Sequence, residues 1–408
     1  MQDSKLINDP VFGFIKIPIG LLYNIVKHPF MQRLNRIKQL GVSSVVYPGA
    51  QHTRFQHSLG AFYLMSQALE QLKRKGHPIL ACEEEAALAA ILLHDIGHGP
   101  FSHVLENTIA KEVSHEQISL LLMEQMNIEM NGALDLAIKV FKNEYPKKFL
   151  HQLISGQLDM DRLDYLRRDS FFTGVPEGTI GSDRIIKMLN LKDDKLVIDE
   201  KGIYSIENFL IARRLMYWQV YLHKTSIAYE IMLIKALLRA KELARNNVDL
   251  FASPSLRYFL YNEVDKNKFY ASSQSLKNFT QLDDSDIWTS LKVWANHEDP
   301  ILSKLSKGVV NRNLFKIDFT EEPQTKQELN RIKKEICETL NITQKEAEYY
   351  IQSGSIEKNM YNPLDDSIEL LCKDNQVRKI SEVSDIMNIT LLSKKATKYY
   401  ICHLRTDS

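Results

Sequence analysis

Leu92-Leu93-His94-Asp95-Ile96-Gly97-His98-Gly99-Pro100-Phe101-Ser102-His103-Val104-Leu105-Glu106 sets three histidines and two acids where an apolar helix runs out into a glycine-proline turn. The preceding run, Glu84 to Leu93, is a strong helix former with acids in its first turn, and its apolar face should be buried. His94 and Asp95 then arrive at the floor of a cleft. Helical neighbours point about 100° apart, so both can reach one ion, and His98 lies one turn on from His94. Gly97, Gly99 and Pro100 should end the helix and turn the chain, letting His103 and Glu106 approach the same point.

A single histidine at a helix end is usually a cap or a satisfied core residue. Seven of the twelve histidines, however, fall between His52 and His115, and such a cluster is costly to bury without a ligand. Imidazole with carboxylate is a normal ligand set for a divalent transition metal.

The 408 residues suffice for a sizeable core, and 44% apolar with 25% charged residues is the composition of an ordinary soluble protein. A net charge of +1 argues against general affinity for nucleic acid or membranes, so any anion binding must be local. The N-terminus carries no signal-peptide pattern and no apolar run is long enough for a bilayer, which points to the cytoplasm. Cys82, Cys337, Cys372 and Cys402 lack metal-type spacing and are expected to be reduced.

The chain opens with alternating apolar residues around a turn from Lys5 to Ile17, a strand or hairpin pattern. Pro29 to Leu40 has helical spacing ended by Gly41, Ser44 to His52 is a loop, and a helix begins near His57. Helical spacing runs from Ser114 to Ile154 with breaks near Asn131-Gly132 and Pro146. Leu158 to Asp169 packs four acids and three arginines into twelve residues, usually the mark of a solvated helix, yet Asp161 and Tyr165 share a face and Asp169 lies a turn on. Leu196 to Tyr204 reads as a small hairpin. Ser205 to Asn246 reads as one long helix with Arg213, Tyr217, Tyr221 and Lys224 at helical spacing, suited to an anion-binding wall. Beyond residue 250 helical pieces near 284–307 and 324–341 alternate with strand-like runs at 312–319, 346–352, 367–372 and 398–404.

In chain order, His57, His94-Asp95 and Asp161 resemble the H…HD…D signature of the HD-domain phosphohydrolases. Asn8-Asp9-Pro10, Gln32-Arg33-Leu34, Lys38-Gln39-Leu40-Gly41, Pro48-Gly49-Ala50, Arg54 to Gly60, His94 to His103 and Asp159 to Tyr165 sharpen the likeness. Together they are similar to the deoxynucleoside triphosphate (dNTP) triphosphohydrolases, both bacterial members and the catalytic region of metazoan members that join a sterile-alpha-motif to an HD domain. The resemblance is dense over residues 5–245 and patchier beyond, where Arg312 to Lys316 and Asn362 to Asp365 also look like family segments.

The resemblance implies a mainly α fold: an HD helical core with small β-hairpins over residues 1–250, including an N-terminal hairpin, and a smaller α+β region over 251–408 packed on it. It implies one divalent ion held by His57, His94, Asp95 and Asp161, with Mn, Fe, Mg, Co, Ni and Zn not distinguished. The implied reaction splits a dNTP into deoxynucleoside and inorganic triphosphate. His103, paired with Glu106, matches the general acid; Arg54, His98, His115, Arg162, Tyr165 and Arg213 match phosphate contacts. Gln39, Tyr165 and Asp169 match positions that bind the 3'-hydroxyl, Leu40 matches the residue packed on sugar and base, and Tyr221 matches the aromatic that leaves no space for a 2'-hydroxyl. Tyr217 and Leu222 stand where metazoan members have histidine and glutamine, so base preference does not carry over.

The family also implies a homo-oligomer, dimer or tetramer, with a nucleotide activator between subunits. Asn8, Gln32, Arg184, Lys201, Lys224, Arg312 and Lys316 match regulatory positions. Lys27 and Asn35 replace the guanine-reading acid and arginine, and Asp199 replaces a basic residue, which argues against dependence on GTP. Two rival readings remain at this point: an HD phosphohydrolase acting on nucleotide monophosphates, cyclic nucleotides or nucleic-acid ends, and a nucleotide sensor or single-strand binder without turnover.

Overall fold

The computed structural model describes residues 3–101, 104, 108, 113–358, 367–384 and 396–405. His103, Glu106 and the segment Asn362 to Asp365 lie outside the described residues. The fold is mainly α, with three small sheets among the described residues. No helix among the described residues is long and apolar enough to cross a membrane.

The chain begins with an antiparallel hairpin, β1 (Ser4–Asp9) and β2 (Gly13–Pro18), as its alternation predicts. Ile15 and Ile17 turn into the core. The expected helix from Pro29 to Leu40 is shorter: α1 (Pro29–Arg33) passes into a 3-10 turn at Leu34–Arg36. Ile37 is extended, and Lys38 forms a β-bridge with Thr53. Tertiary capture overrides helical spacing, because Asp284 accepts the Lys38 amide and Ile37 O accepts that of Arg54.

Four helices form the centre: α2 (Arg54–Arg74), α3 (Ala81–Leu93), α4 (His115–Glu129) and α5 (Met160–Thr173). Thr53 and Gln56 make a capping box at the start of α2, Ser114 caps α4, and Asp159 caps α5 by accepting the Arg162 amide. The face of α3 from Ala86 to Leu93 is buried as expected. Gly60 lets α5 approach α2 closely, since a Cβ there would stand 1.9 Å from Asp164 Oδ1.

The expected hairpin at Leu196 to Tyr204 is displaced towards the N-terminus. β3 (Leu189–Lys192) pairs with β4 (Lys195–Asp199), and Asp193 and Asp194 make the turn at φ 52 and 58. Paired positive φ is the geometry of a tight hairpin turn, and aspartate tolerates it.

The expected single helix from Ser205 to Asn246 is two helices, α6 (Ile203–Met216) and α7 (Lys224–Arg245). Between them Tyr217–Tyr221 forms a π turn, with Leu222 N donating to Tyr217 O at 2.8 Å, and the His223 ring caps α7. Further on, α8 (Asp284–Trp294) and α9 (Pro300–Val310) follow three short helices that the spacing did not reveal, Pro254–Tyr261, Lys266–Ala271 and Ser273–Phe279. β5 (Lys316–Thr320) and β6 (Ile351–Lys358) flank the last strand, Ala396–His403, in one sheet. Ile198 and Asp199 of β4 pair in parallel with Leu370 and Leu371, so residues from both parts of the chain share one sheet. All four cysteines are free.

Candidate active site

Three helices bring His57, His94 and Asp161 together, each offering one atom within 4.8 Å of the others. His57 lies in the first turn of α2, His94 caps the end of α3, and Asp161 lies in the first turn of α5. His57 Nε2 and His94 Nε2 stand 3.0 and 3.5 Å from Asp161 Oδ1, and 3.3 Å from each other.

The far sides of both rings fix which nitrogen faces inward. His94 Nδ1 donates to Ile91 O at 2.7 Å, and His57 Nδ1 donates to Asp164 Oδ2 at 2.6 Å. Each Nε2 lone pair is thereby aimed at the common point, as metal-ligating imidazoles require. Burial pushes the His57 ring down, but Asp161 and Asp164 outweigh it and raise its pKa to about 10. Asp161 is held well below the usual carboxylate range: burial opposes this, but the two imidazoles prevail. A cation would replace the proton shared among these groups, so the donor set fits a divalent metal.

Asp95, expected as the fourth ligand, stands 3.5 Å from His94 Nε2 and 3.8 Å from His57 Nε2. Its carboxylate also meets Arg54 Nη1 at 2.5 Å and His98 Nε2 at 3.3 Å. Burial would neutralise it, yet His94, His98 and Arg54 keep it ionised.

Gly97 has a different role from the expected helix stop. A Cβ there would stand 2.2 Å from His115 O and 2.3 Å from Ser119 N, so its missing side chain lets α4 pack on the turn. Ser119 Oγ accepts the Gly97 amide and donates to His94 O. Phe101 makes the left-handed turn instead, at φ 54.

His98 stacks on His115 with ring centroids 3.9 Å apart. Burial and the nearby Arg54 charge lower its pKa to about 3, so His98 is neutral, and its buried Nδ1 has no hydrogen-bond partner among the described residues. Along the adjoining wall, Tyr165 and Tyr217 each pack edge-on against Tyr221, at 6.0 and 5.2 Å. Tyr165 is raised by burial and the neighbouring Tyr217, against the charges of Arg162 and Arg213. Arg213 is buried, donating from Nη1 to Gln157 Oε1 at 3.1 Å while its Nε has no partner among the described residues.

Asp169 is buried between His52, whose Nε2 lies 2.7 Å from Oδ1, and the Tyr221 hydroxyl. Gln39 follows the Lys38 bridge, donates its amide to His52 O, and keeps a buried Oε1 without a partner among the described residues; Leu40 next to it is half-buried.

The expected regulatory residues divide. Lys224, Arg312 and Lys316 line one cleft of about 700 Å³ with His403 and Arg405. Arg184 instead donates to Lys201 O, Asn8 is exposed on β1, and Gln32 donates to Val26 O. Asp199 pairs with Lys75 at 2.7 Å.

Two supporting residues, Asp164 and His52, owe their roles to partners distant in the chain. Asp164, which holds His57, is in turn bound by Arg168, whose Nη1 reaches Asp9 at 2.8 Å. His52 counted only as one of the histidine cluster.

Residues 54–169 match the HD domain profile and residues 180–253 an HD associated region. An uncharacterised Bacillus subtilis protein is 32% identical over 98% of this chain and 92% of its own length. The chain belongs to the HD-domain family. A solved phosphohydrolase structure from Bacteroides thetaiotaomicron is similar to this HD-domain protein with a TM-score of 0.97 and 66% identity, over 99% of this chain and 100% of that one. Bovine deoxynucleoside triphosphate triphosphohydrolase SAMHD1 is 28% identical over 83% of the chain, which spans 62% of that enzyme's length. Membership puts the HD-domain protein among the metal-dependent phosphohydrolases of this fold, and His57, His94 and Asp161 are a group that could hold a metal ion.

Proposed function

We propose that the protein hydrolyses dNTPs to deoxynucleoside and inorganic triphosphate. The observation that carries this reading is that one helix bears both Asp161 of the trio and the buried Asp169, whose carboxylate is held by Tyr221 and His52. The bovine relative, named for this reaction, supports it.

His57, His94, Asp161 and Asp95 would hold a divalent cation, which supplies positive charge to the α-phosphate and lowers the pKa of water. Arg54, Arg162 and Arg213 would neutralise the triphosphate, with His98 and His115 as additional contacts. Gln39, Tyr165 and Asp169 would take the 3'-hydroxyl, and Leu40, Tyr217 and Tyr221 would enclose sugar and base. Water adds to the α-phosphorus as the bond to the 5'-oxygen breaks. That oxygen is a poor leaving group as an alkoxide, and His103, supported by Glu106, is the proposed donor of its proton. Tyr221, held protonated by burial and by Asp169, remains a donor at neutral pH.

The active site belongs to an HD region over residues 1–250, with 251–408 as a second region. The basic cleft at Lys224, Arg312 and Lys316 would take a nucleotide activator in a homo-oligomer, with Asn8, Gln32, Arg184 and Lys201 contributing elsewhere. Lys27 and Asn35 make GTP unnecessary.

The test is triphosphate release from all four dNTPs with Mn²⁺, Mg²⁺, Fe²⁺ or Co²⁺, with and without GTP. Release from dNTPs alone, lost in His103→Ala with metal content unchanged, is the expected result. Cleavage only of monophosphates, cyclic nucleotides or nucleic-acid ends would replace this substrate assignment.

A further inference from the structure

The start of α8 meets the active-site segments at several points. Arg33, 1% exposed, donates from Nε to Leu282 O at 2.7 Å, with Nη1 3.5 Å from Ile96 O in the metal-carrying turn. Arg36 pairs with Asp283. Asp284, 6% exposed, accepts the Lys38 amide on Oδ2 at 2.9 Å and the Phe101 amide on Oδ1 at 3.3 Å.

An acid in the first turn of a helix is ordinarily there for the helix itself. This helix is already capped: Asp283 accepts the Ser285 amide, and Asp286 accepts that of Asp283. Asp284 directs its oxygens elsewhere. Burial raises its pKa to about 6 in spite of the two amides, so its position carries an electrostatic cost that capping does not explain.

The two amides it holds belong to segments distant in sequence. Lys38 immediately precedes Gln39 and Leu40, and Phe101 stands two residues before His103. Phe101 occupies the left-handed region, which a bulky side chain adopts only where its surroundings over-determine it. Asp284 supplies one such constraint, and Gly41 packs on the Phe101 backbone, where a Cβ would lie 3.7 Å from its Cα.

We propose that Asp284 is a positioning residue, one carboxylate that holds the Gln39–Leu40 segment and the Phe101 turn in register beside the metal trio. The inference rests on the dNTP reading for its kinetic consequence, but the clamp itself is independent of substrate.

The test compares Asp284→Ala, Asp284→Asn and Asp283→Ala in the full chain, measuring metal content, melting temperature, kcat, KM and amide hydrogen exchange. Asp284→Ala should retain its metal, lose at least tenfold in kcat, raise KM, and exchange faster over both residues 38–41 and 98–101. Asp284→Asn, with one acceptor oxygen, should protect one segment and release the other. Asp283→Ala removes the cap and the Arg36 partner, so it should lower the melting temperature while kcat and exchange near Phe101 stay at wild-type values. Wild-type kinetics in Asp284→Ala, or losses in all three variants that merely follow melting temperature, would overturn the proposal. If wild type releases no triphosphate, the substrate reading fails, and exchange still decides the clamp: unchanged protection in both Asp284 variants refutes it.

Discussion

The Tyr221 hydroxyl donates to Asp169 Oδ2 at 2.7 Å, and His52 Nε2 meets the other oxygen at the same distance. Asp169 is therefore fixed from two sides, and the Tyr221 ring cannot retreat without leaving a buried carboxylate underpaired. Tyr221→Ala should open space beside the sugar and raise the ratio of rNTP to dNTP turnover by about tenfold or more. Comparing kcat/KM for the two substrate classes checks this; equal turnover of both by wild type would remove the steric gate.

Asp164 orients His57 and compensates the buried Arg168 guanidinium. Asp164→Ala should weaken metal binding by about 10–100-fold through the freed imidazole. Arg168 would keep Asp9 as its one carboxylate partner, and the lost bonds to the buried guanidinium should cost about 1–3 kcal/mol of stability. Metal titration and urea unfolding measure the two losses separately. Undiminished metal affinity in a folded variant would show that the Asp164 contact does not govern the ligand.

Gly97→Ala tests the close approach of α4. The added Cβ would collide with backbone atoms of His115 and Ser119, so the turn bearing His94 and Asp95 must shift. A destabilisation of about 1–3 kcal/mol is expected, with loss of activity beyond what stability explains. A variant with wild-type melting temperature and turnover would show that the turn has slack.

Glu83 provides a pH test away from the reaction. Its carboxylate, almost fully buried, accepts from Lys147 and Tyr145 at 2.7 Å and from the Leu80 amide at 2.8 Å. Burial opposes ionisation, but these donors lower its pKa below the usual value. A depressed folded pKa stabilises above the unfolded pKa, and the contribution disappears as pH falls through the folded value. Glu83→Gln should therefore cost about 1–3 kcal/mol at pH 7 and progressively less at acid pH. Urea midpoints of both proteins across that range decide it; a gap that widens in acid would reverse the sign.

Features encoded locally were legible. The β1–β2 alternation, the start of α2 and the breaks around Asn131 and Pro146 each depend on neighbours in the chain. His57, His94 and Asp161 were legible because a family signature names them, whereas no spacing rule brings residues on three separate helices together. The π turn at Tyr217–Tyr221 was not visible, since aromatic residues at helical spacing also suit an unbroken helix. Nor did the sequence distinguish Asp164 or Asp284 from ordinary surface acids. Their significance depends on partners from other segments: His57 and Arg168 for one, the Lys38 and Phe101 amides for the other. The early end of α1 has the same origin, a backbone amide taken by a distant carboxylate.

Because the trio spans the start of α2, the end of α3 and the start of α5, a bound cation would act as a cross-link among three helices, added to the His57–Asp164 bond that already ties α2 to α5. Binding to the folded form alone raises stability with cation concentration, by about 2.7 kcal/mol at one hundred times Kd. Melting temperature then becomes a gauge of metal occupancy, able to rank cations by affinity in the absence of any substrate.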